Sequence, residues 1–403
     1  MSLKAEPVKA NKNFVMTEEE LVFFHQYQHE NIADLSLKIK STSRQKEILQ
    51  QIARRQKIKN KLPSFYQNLK IYYPVNVSLE QCSSEKTALF KSTLFSGNTF
   101  VDLTAGMGID SFYLSKKFRS GILVEANEML ADITSHNMSV SGASEELSIV
   151  KGKKAEDFLK EYSGKADLIY IDPSRRNDAG GKVFRLEDCE PDIIKLLPDL
   201  LKIAGHILVK TSPLLDISRA CKGLQFVKNV YVLSLNSECK ELLFEIERNY
   251  AADFQIHAVN LDTDTRFAFY SLEEKQGIID YSMPLVFLYE PDVSVLKAGA
   301  FNSIAKKYAV KKLHQHSHLY TSAVLVSDFP GRIFEIHSIL KPAKSEIQKA
   351  LKSKKANITI RNFPGAVAEL RKKWGISDGG DDYLFATTLC NNEKAVIVCK
   401  KYI

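Results

Sequence analysis

Several things are scarce in this sequence, and each scarcity removes a class of protein. No stretch of its 403 residues approaches the ~18 consecutive apolar residues of a membrane span, and its opening residues give no expectation of a signal peptide. Cysteine is sparse: Cys82, Cys189, Cys221, Cys239, Cys390 and Cys399 are scattered with no C-x-x-C pair. That spacing argues against zinc ligation or a disulfide framework and predicts a reducing, cytoplasmic setting, with no metal expected. Tryptophan occurs once, at Trp374. Neither sign of charge dominates: 56 Lys+Arg against 48 Asp+Glu give a formal net charge of +8. So small an excess permits a polyanionic partner without requiring one, and its distribution matters more than its size.

What is present is enough apolar residue for ordinary cores, 44% of the chain, and length for two or three domains. The stretch Thr99–Asp110 reads as an apolar strand, a turn bearing Gly106 and Gly108, and the start of an amphipathic helix. A strand that feeds a helix through such a turn places free backbone N–H groups where a nucleotide-like ligand can sit. The dinucleotide pattern G-x-G-x-x-G is incomplete, because nothing small follows Gly108 at the third glycine position. Acidic residues end the strand and the next one instead, Asp102 and Glu125. From Thr99 to about Arg248 strand and helix patterns alternate, as a parallel α/β sheet requires. The expected strands are Phe100–Leu103, Ile122–Glu125, Ser148–Val150, Leu168–Ile171 and His206–Lys210, followed by the apolar runs Val227–Leu233 and Leu242–Ile246.

The segment Val101–Gly108 resembles motif I of the class I S-adenosylmethionine (SAM)-dependent methyltransferases. The resemblance implies a Rossmann-like α/β domain with a seven-stranded sheet, closed by the last two runs as an antiparallel edge pair, and SAM as cofactor. It carries cofactor contacts onto Asp102, Thr104, Ala105, Gly106, Gly108 and Asp110 in and after the turn. It puts Glu125, with Ala126, on the ribose and Asp157 near the adenine amino group. Asp172-Pro173-Ser174-Arg175-Arg176 stands in the place of motif IV, with Asp172 beside both cofactor and acceptor.

Base-amine methyltransferases carry a related tetrad, an Asp or Asn, two prolines and an aromatic ring; here Ser174 and Arg175 replace the last two. An arginine can stack on a base or hold a phosphate, so base binding survives the change. The tetrad also resembles the Asp-Pro-Pro-Arg of uridine C5 methyltransferases, which need a cysteine just after the following strand to attack the ring. That position reads Lys210-Thr211-Ser212-Pro213, which argues against C5 chemistry. Asp172 is expected to orient or deprotonate the acceptor, with Arg175 as its catalytic companion. Ser174, Arg175, Arg176 and Lys210 are expected to bind substrate, and the glycines of Asn177–Lys182 suit a flap. On the structural alternative, Asp172 caps a turn and Arg175 pairs with Asp178, Glu187 or Asp188.

The flanks complete the reading. An N-terminal helical domain is expected over residues 1–75, the SAM-binding domain over 76–250, an α+β (ferredoxin-like) domain over 251–328 and a THUMP-like domain over 329–403. Tyr289–Asp292, Leu313–Tyr320, Phe329–Arg332 and Arg361–Pro364 resemble bacterial methyltransferases with a THUMP-like C-terminal domain, which implies RNA, tRNA or rRNA, as partner, rather than DNA or membrane. Two stretches are locally basic. Lys38–Lys61 holds nine Lys/Arg against Glu47, and Lys341–Lys373 holds ten against two acids. Each is either a solvated face or a phosphate-binding one. In the second, Lys349, Lys352 and Lys355 are expected near one helical face, with Arg361 beside Phe363 and Trp374, the latter either a stacking platform or a core residue. His314, His316 and His318 would share a face on a strand, as metal ligands do, but not on a loop. The function expected is methyl transfer to a nitrogen of a base in structured RNA. The alternative is a non-catalytic RNA-binding or assembly protein that retains the fold.

Overall fold

The computed structural model describes residues 4–32, 34–35, 42–175, 186–276 and 279–402. The chain divides into two compact units, Met1–Lys228 with Leu243–Ala251, and Asn229–Leu242 with Ala252–Ile403.

The first unit opens with the short strand β1 (Glu6–Pro7) and helices that include Glu18–Tyr27, Ser43–Ile58, Asn76–Gln81 and Glu85–Ser92. Thr17 and Thr42 start the first two through reciprocal capping boxes, as their Thr-x-x-Glu and Thr-x-x-Gln spacings dictate. The cations of Ser43–Ile58 are largely engaged inside the fold. Arg44 pairs with Glu20 and Glu47 at 2.8 Å each, and Arg54 donates to the Tyr73 carbonyl at 3.1 Å. Arg55 is buried over the rings of Phe24 and Tyr66, and Lys61 donates to the carbonyls of Leu79 and Glu80. These four side chains are bound within the fold, which neither the solvated nor the phosphate-binding reading of the first basic stretch anticipates; Lys38 and Lys40 lie outside the described residues.

The sheet of this unit is built from β2 (Gly97–Asp102), β3 (Phe118–Glu125), β4 (Leu147–Lys151) and β5 (Ala166–Ile171). A two-residue hairpin, β6 (Ser174–Arg175) with β7 (Cys189–Glu190), precedes β8 (Ala204–Thr211). The order is β1-β4-β3-β2-β5-β8, with β2, β3, β4, β5 and β8 all parallel. Apolar runs such as Phe100-Val101 and Leu168-Ile169 are buried on both faces, as covered parallel strands require. Because β3 and β4 extend to one side of β2 while β5 and β8 extend to the other, the carboxyl ends of β2 and β5 border a crevice at the switch point.

The unit boundary runs through β9 (Val227–Leu235) and β10 (Glu238–Glu247). Asn236 and Ser237 between them have φ of 54° and 59°, the left-handed pair of a tight hairpin turn, and Ser234 ties to Asp292 at 2.7 Å. In the second unit β9 pairs with β11 (Gln255–Asn260), and β11 with β12 (Thr265–Tyr270). A seven-stranded sheet follows: β13 (Phe287–Pro291), β14 (Lys311–Lys312), β15 (Tyr320–Ser322), β16 (Gly331–Leu340), β17 (Asn357–Arg361), β18 (Asp382–Thr388) and β19 (Lys394–Lys401). Its order, β14-β15-β13-β16-β19-β18-β17, mixes strands from both of the C-terminal regions expected from sequence.

Three expectations about this unit change. The helix that begins at Lys344 ends at Ala350, so Lys352 and Lys355 lie beyond it, exposed, with the Lys355 backbone bridged to Ser377. The shared helical face of Lys349, Lys352 and Lys355 is therefore absent. Trp374 is fully buried with Ile347, Leu351 and Leu370, which is the core reading and leaves no ring face for a base. His314–His318 form a turn rather than a strand: His314 contacts Asn362 and Asn392, while His318 stacks on Phe301 at 3.7 Å between ring centres. Burial pushes the His318 imidazole down to about 4.

Ile347→Ala should remove about 2–5 kcal/mol from this core. Urea unfolding followed by the fluorescence of Trp374, the only tryptophan, reads the loss; an unchanged midpoint would mean that the helix carries no stability.

Candidate active site

A cavity of about 390 Å³ opens at the carboxyl ends of β2, β3 and β5, a size suited to a nucleotide-like cofactor. The turn Thr104–Gly108 forms its floor, and the backbone N–H groups of Thr104, Ala105, Gly106 and Gly108 have protein partners. Thr104 N–H donates to Asp102 Oδ1 at 2.9 Å, Ala105 N–H to the Val124 carbonyl at 3.0 Å, and Gly106 N–H to Glu125 Oε2 at 2.8 Å. Gly108 N–H closes onto the Ala105 carbonyl at 2.7 Å. Four of the N–H groups that the sequence suggested would be free are thus taken.

The two glycines differ in purpose. Gly106, at φ 54°, has nothing within reach of a Cβ except Thr104 O at 3.8 Å, so its open side belongs to the cavity it lines. At Gly108, φ 80°, a Cβ would overlap Met138 Cε and come within 2.8 Å of Thr134 Cγ2. Gly108 lets the turn pack closely on the helix Glu128–Val140, and it also lines the cavity.

Asp102 is buried and holds the turn, accepting also from Ser111 Oγ at 2.5 Å; burial pushes its carboxyl up to about 7. Glu125 faces the cavity, its second oxygen accepting from Asn127 N–H at 2.8 Å, which fixes the carboxylate and leaves lone pairs for ribose hydroxyls. Ala126 lines the same wall. Asp157 does not: the helix Ala155–Glu161 turns it to solvent, paired with Lys160 at 2.8 Å, and its neighbour Glu156 lines the cavity. One residue along a helix is a rotation of about 100°, finer than a resemblance of sequence resolves.

Beside the turn, Asp172 donates its N–H to Thr104 Oγ1 at 2.7 Å and places its carboxylate 2.5 Å from Lys210 Nζ. Lys210 is also 3.8 Å from Asp110, and Asp110 pairs with Lys91 at 3.0 Å. Ser83 and Tyr170 each donate to Asp110 Oδ2 at 2.7 Å. Lys91 is fully buried. Burial alone would raise Asp110, but the two ammonium groups outweigh it and hold the carboxyl below the usual range. Lys91, Ser83 and Tyr170 escaped the sequence reading. The available signal was a lysine on the apolar face of a helix, between Ala88 and Ser92.

Ser174 pairs in the β6–β7 hairpin, and of Arg175 only the backbone is described. Arg176 and the flap Asn177–Lys182 lie outside the described residues. Arg361 belongs to the second unit, where it pairs with the buried Glu290 at 2.9 Å beside Arg332. Among the described residues, His206, Glu245 and Glu247 bring possible metal-ligand atoms within 4.8 Å of one another, but Lys228 Nζ holds Glu247 at 2.6 Å, so a cation already fills that position.

SAM fits the cavity on chemistry as well as size. Six carboxylates line it against three lysines, an excess suited to a sulfonium. Gly106 leaves the space for it, and Glu125 is held for a diol. Among the described residues no helix is long and apolar enough to cross a membrane.

The Lys91–Asp110 pair makes a pH prediction. The folded-state carboxyl of Asp110 lies below its unfolded value, so its stabilisation is complete above that value and lost as pH falls through the folded one. Asp110→Asn should cost about 3–5 kcal/mol at neutral pH, because it leaves a buried ammonium uncompensated. Urea unfolding should show the gap to the wild type closing below about pH 4; equal midpoints at pH 7 would sink the idea.

Comparison with known proteins agrees with this architecture. Residues 287–330 match a ferredoxin-like domain family and residues 331–401 a THUMP domain-like family. No curated protein matches. Among solved structures, a candidate methyltransferase from Porphyromonas gingivalis W83 is 31% identical, with a TM-score of 0.88 over 98% of this chain and 100% of its own. An rRNA methylase from Streptococcus thermophilus is 15% identical, with a TM-score of 0.30 over 40% of this chain and 93% of its own. A Pyrococcus abyssi tRNA (uracil-54, C5)-methyltransferase bound to S-adenosyl-L-homocysteine is 16% identical, with a TM-score of 0.30 over 43% of this chain and 39% of its own. By its end-to-end match to the Porphyromonas protein and its C-terminal domain, this chain belongs to the class I SAM-dependent methyltransferase family with a THUMP-like C-terminal domain.

Proposed function

We propose that the protein transfers the methyl group of SAM to a nitrogen of a base in structured RNA, tRNA or rRNA, without a covalent cysteine intermediate. The observation that carries this reading is Asp172 at the mouth of β5, its side chain one-third exposed on the cavity wall beside the cofactor turn. SAM brings its own leaving group, so the protein's task is to hold an acceptor in line with the methyl carbon. Asp172 orients that acceptor and takes its proton, and Glu125 anchors the ribose of the cofactor. Where a C5 enzyme needs its nucleophilic cysteine, β8 ends in Lys210-Thr211. The cavity does include one thiol, Cys82, but it donates to the Leu79 carbonyl at 3.1 Å and burial raises its pKa, so no thiolate is prepared there. RNA as substrate rests on the THUMP-like domain and on the exposed lysines at 352, 354 and 355. A second assignment, Arg175 and Arg176 on the substrate, rests on sequence position alone.

Two measurements test the reading. Calorimetry should show SAM binding that Glu125→Ala weakens by ~1–3 kcal/mol and that Asp172→Ala leaves nearly intact while abolishing methyl transfer. No binding of SAM or S-adenosylhomocysteine by the wild type would end the methyltransferase reading, and Cys82→Ala should turn over normally. For the RNA face, changing Lys352, Lys354 and Lys355 to glutamate should weaken RNA binding and flatten its salt dependence while sparing SAM. An unchanged salt slope in a filter-binding titration would move the contact elsewhere.

A further inference from the structure

The β5–β8 register pairs Ile171 with Val209, so the next residues on each strand, Asp172 and Lys210, leave the sheet edge side by side. Neighbouring strands lie about 4.8 Å apart, which lets the two side chains meet. They meet at 2.5 Å on the cavity wall, with Lys210 braced from behind by Asp110. An ammonium clamped between two carboxylates is a hydrogen-bond donor and not a base. The wall therefore presents one donor and one acceptor in adjacent positions.

We propose that Lys210 and Asp172 together read two adjacent atoms of a base's Watson–Crick edge, so that the methyl acceptor is a pairing-edge nitrogen carrying a hydrogen, next to a hydrogen-bond acceptor. This rests on the RNA methyltransferase reading and narrows its substrate. Each of the four bases presents such a donor–acceptor neighbour pair on its pairing edge, whereas a pyrimidine C5 carbon or a lone ribose hydroxyl does not. The fate of the proton points the same way. As the nitrogen lone pair forms the CH3–N bond, the CH3–S bond breaks and its electron pair stays on sulfur, giving the neutral thioether. The nitrogen is then cationic and acidic, and a carboxylate is base enough to take its proton and pass it to water. A ribose hydroxyl must lose its proton as the methyl arrives, which calls for a stronger base than a carboxylate. Lys210 meanwhile donates to the neighbouring carbonyl oxygen or ring nitrogen, fixing which edge enters. The base must be unpaired to be read, as in unpaired loops or by extrusion from a helix.

The test uses the full-length protein, labelled SAM, and RNA from source cells in which the gene has been deleted. Nucleoside mass spectrometry should find the label as an N-methyl base, and comparison with synthetic methylated nucleosides should assign it to a pairing-edge nitrogen. Label on a ribose oxygen, on C5 or on a base nitrogen away from the pairing edge would overturn the proposal while leaving a methyltransferase. No label in any RNA, from protein that binds SAM, would overturn the RNA reading beneath it as well. Lys210→Met should lose about 100-fold in methylation, the scale for removing one preorganised donor, with SAM affinity retained as proof of folding. Lys210→Gln, which keeps a donor, should recover part of that rate. Wild-type methylation by Lys210→Met would refute the role given to Lys210.

Discussion

Four alternating charges, Lys91, Asp110, Lys210 and Asp172, run in a chain from the buried interior of the first unit to its cavity wall. Each inner member is nearly or wholly removed from water, so none is tolerable without its neighbours. Ser83 and Tyr170 satisfy what remains of Asp110. The chain therefore does two things together. It locks the helix Glu85–Ser92 and the helix Ile109–Leu114 to the sheet, and it delivers a single carboxylate to the cavity in a fixed position. Orientation of an acceptor depends on such rigidity more than on any further contact.

The cofactor side of the cavity follows the same logic with weaker forces. Asp102 and Glu125 hold the turn through its own N–H groups, so its shape does not depend on a ligand being present. Gly106 keeps the ligand side open and Gly108 lets the turn settle onto the helix behind it. A pre-formed loop of this kind lowers the ordering cost of binding. The turn and Asp172 sit side by side at the carboxyl ends of the paired strands β2 and β5, joined by the Asp172 N–H to Thr104 Oγ1.

The second unit illustrates why charge density in a sequence is a weak guide to a binding surface. Arg361, from the basic stretch, serves the buried Glu290 together with Arg332. Arg371 holds Asp378 and the Ala356 carbonyl. The lysines at 352, 354 and 355 are exposed because the helix has already ended before them, and Trp374, the natural stacking candidate, closes the core behind them.

The sequence by itself determined the alternation of strand and helix, the parallel sheet, the turn at Gly106 and Gly108, and the carboxylates that end β2 and β3. These are legible because apolar periodicity and turn chemistry are local, acting over a few residues. Asp172 was legible for the same reason, as the polar residue that ends a buried strand. Tertiary structure alone decided which charges meet. Lys91 and Asp110 are 19 residues apart and Asp110 and Tyr170 are 60 apart, and nothing in a linear pattern says that a lysine on an apolar helix face has a buried carboxylate waiting. It also decided that Asp157 faces water while Glu156 faces the cavity, and that the N–H groups of Thr104, Ala105, Gly106 and Gly108 are already taken. Those outcomes turn on a rotation of one residue or a separation of an ångström, and such distances exist only once the chain has packed.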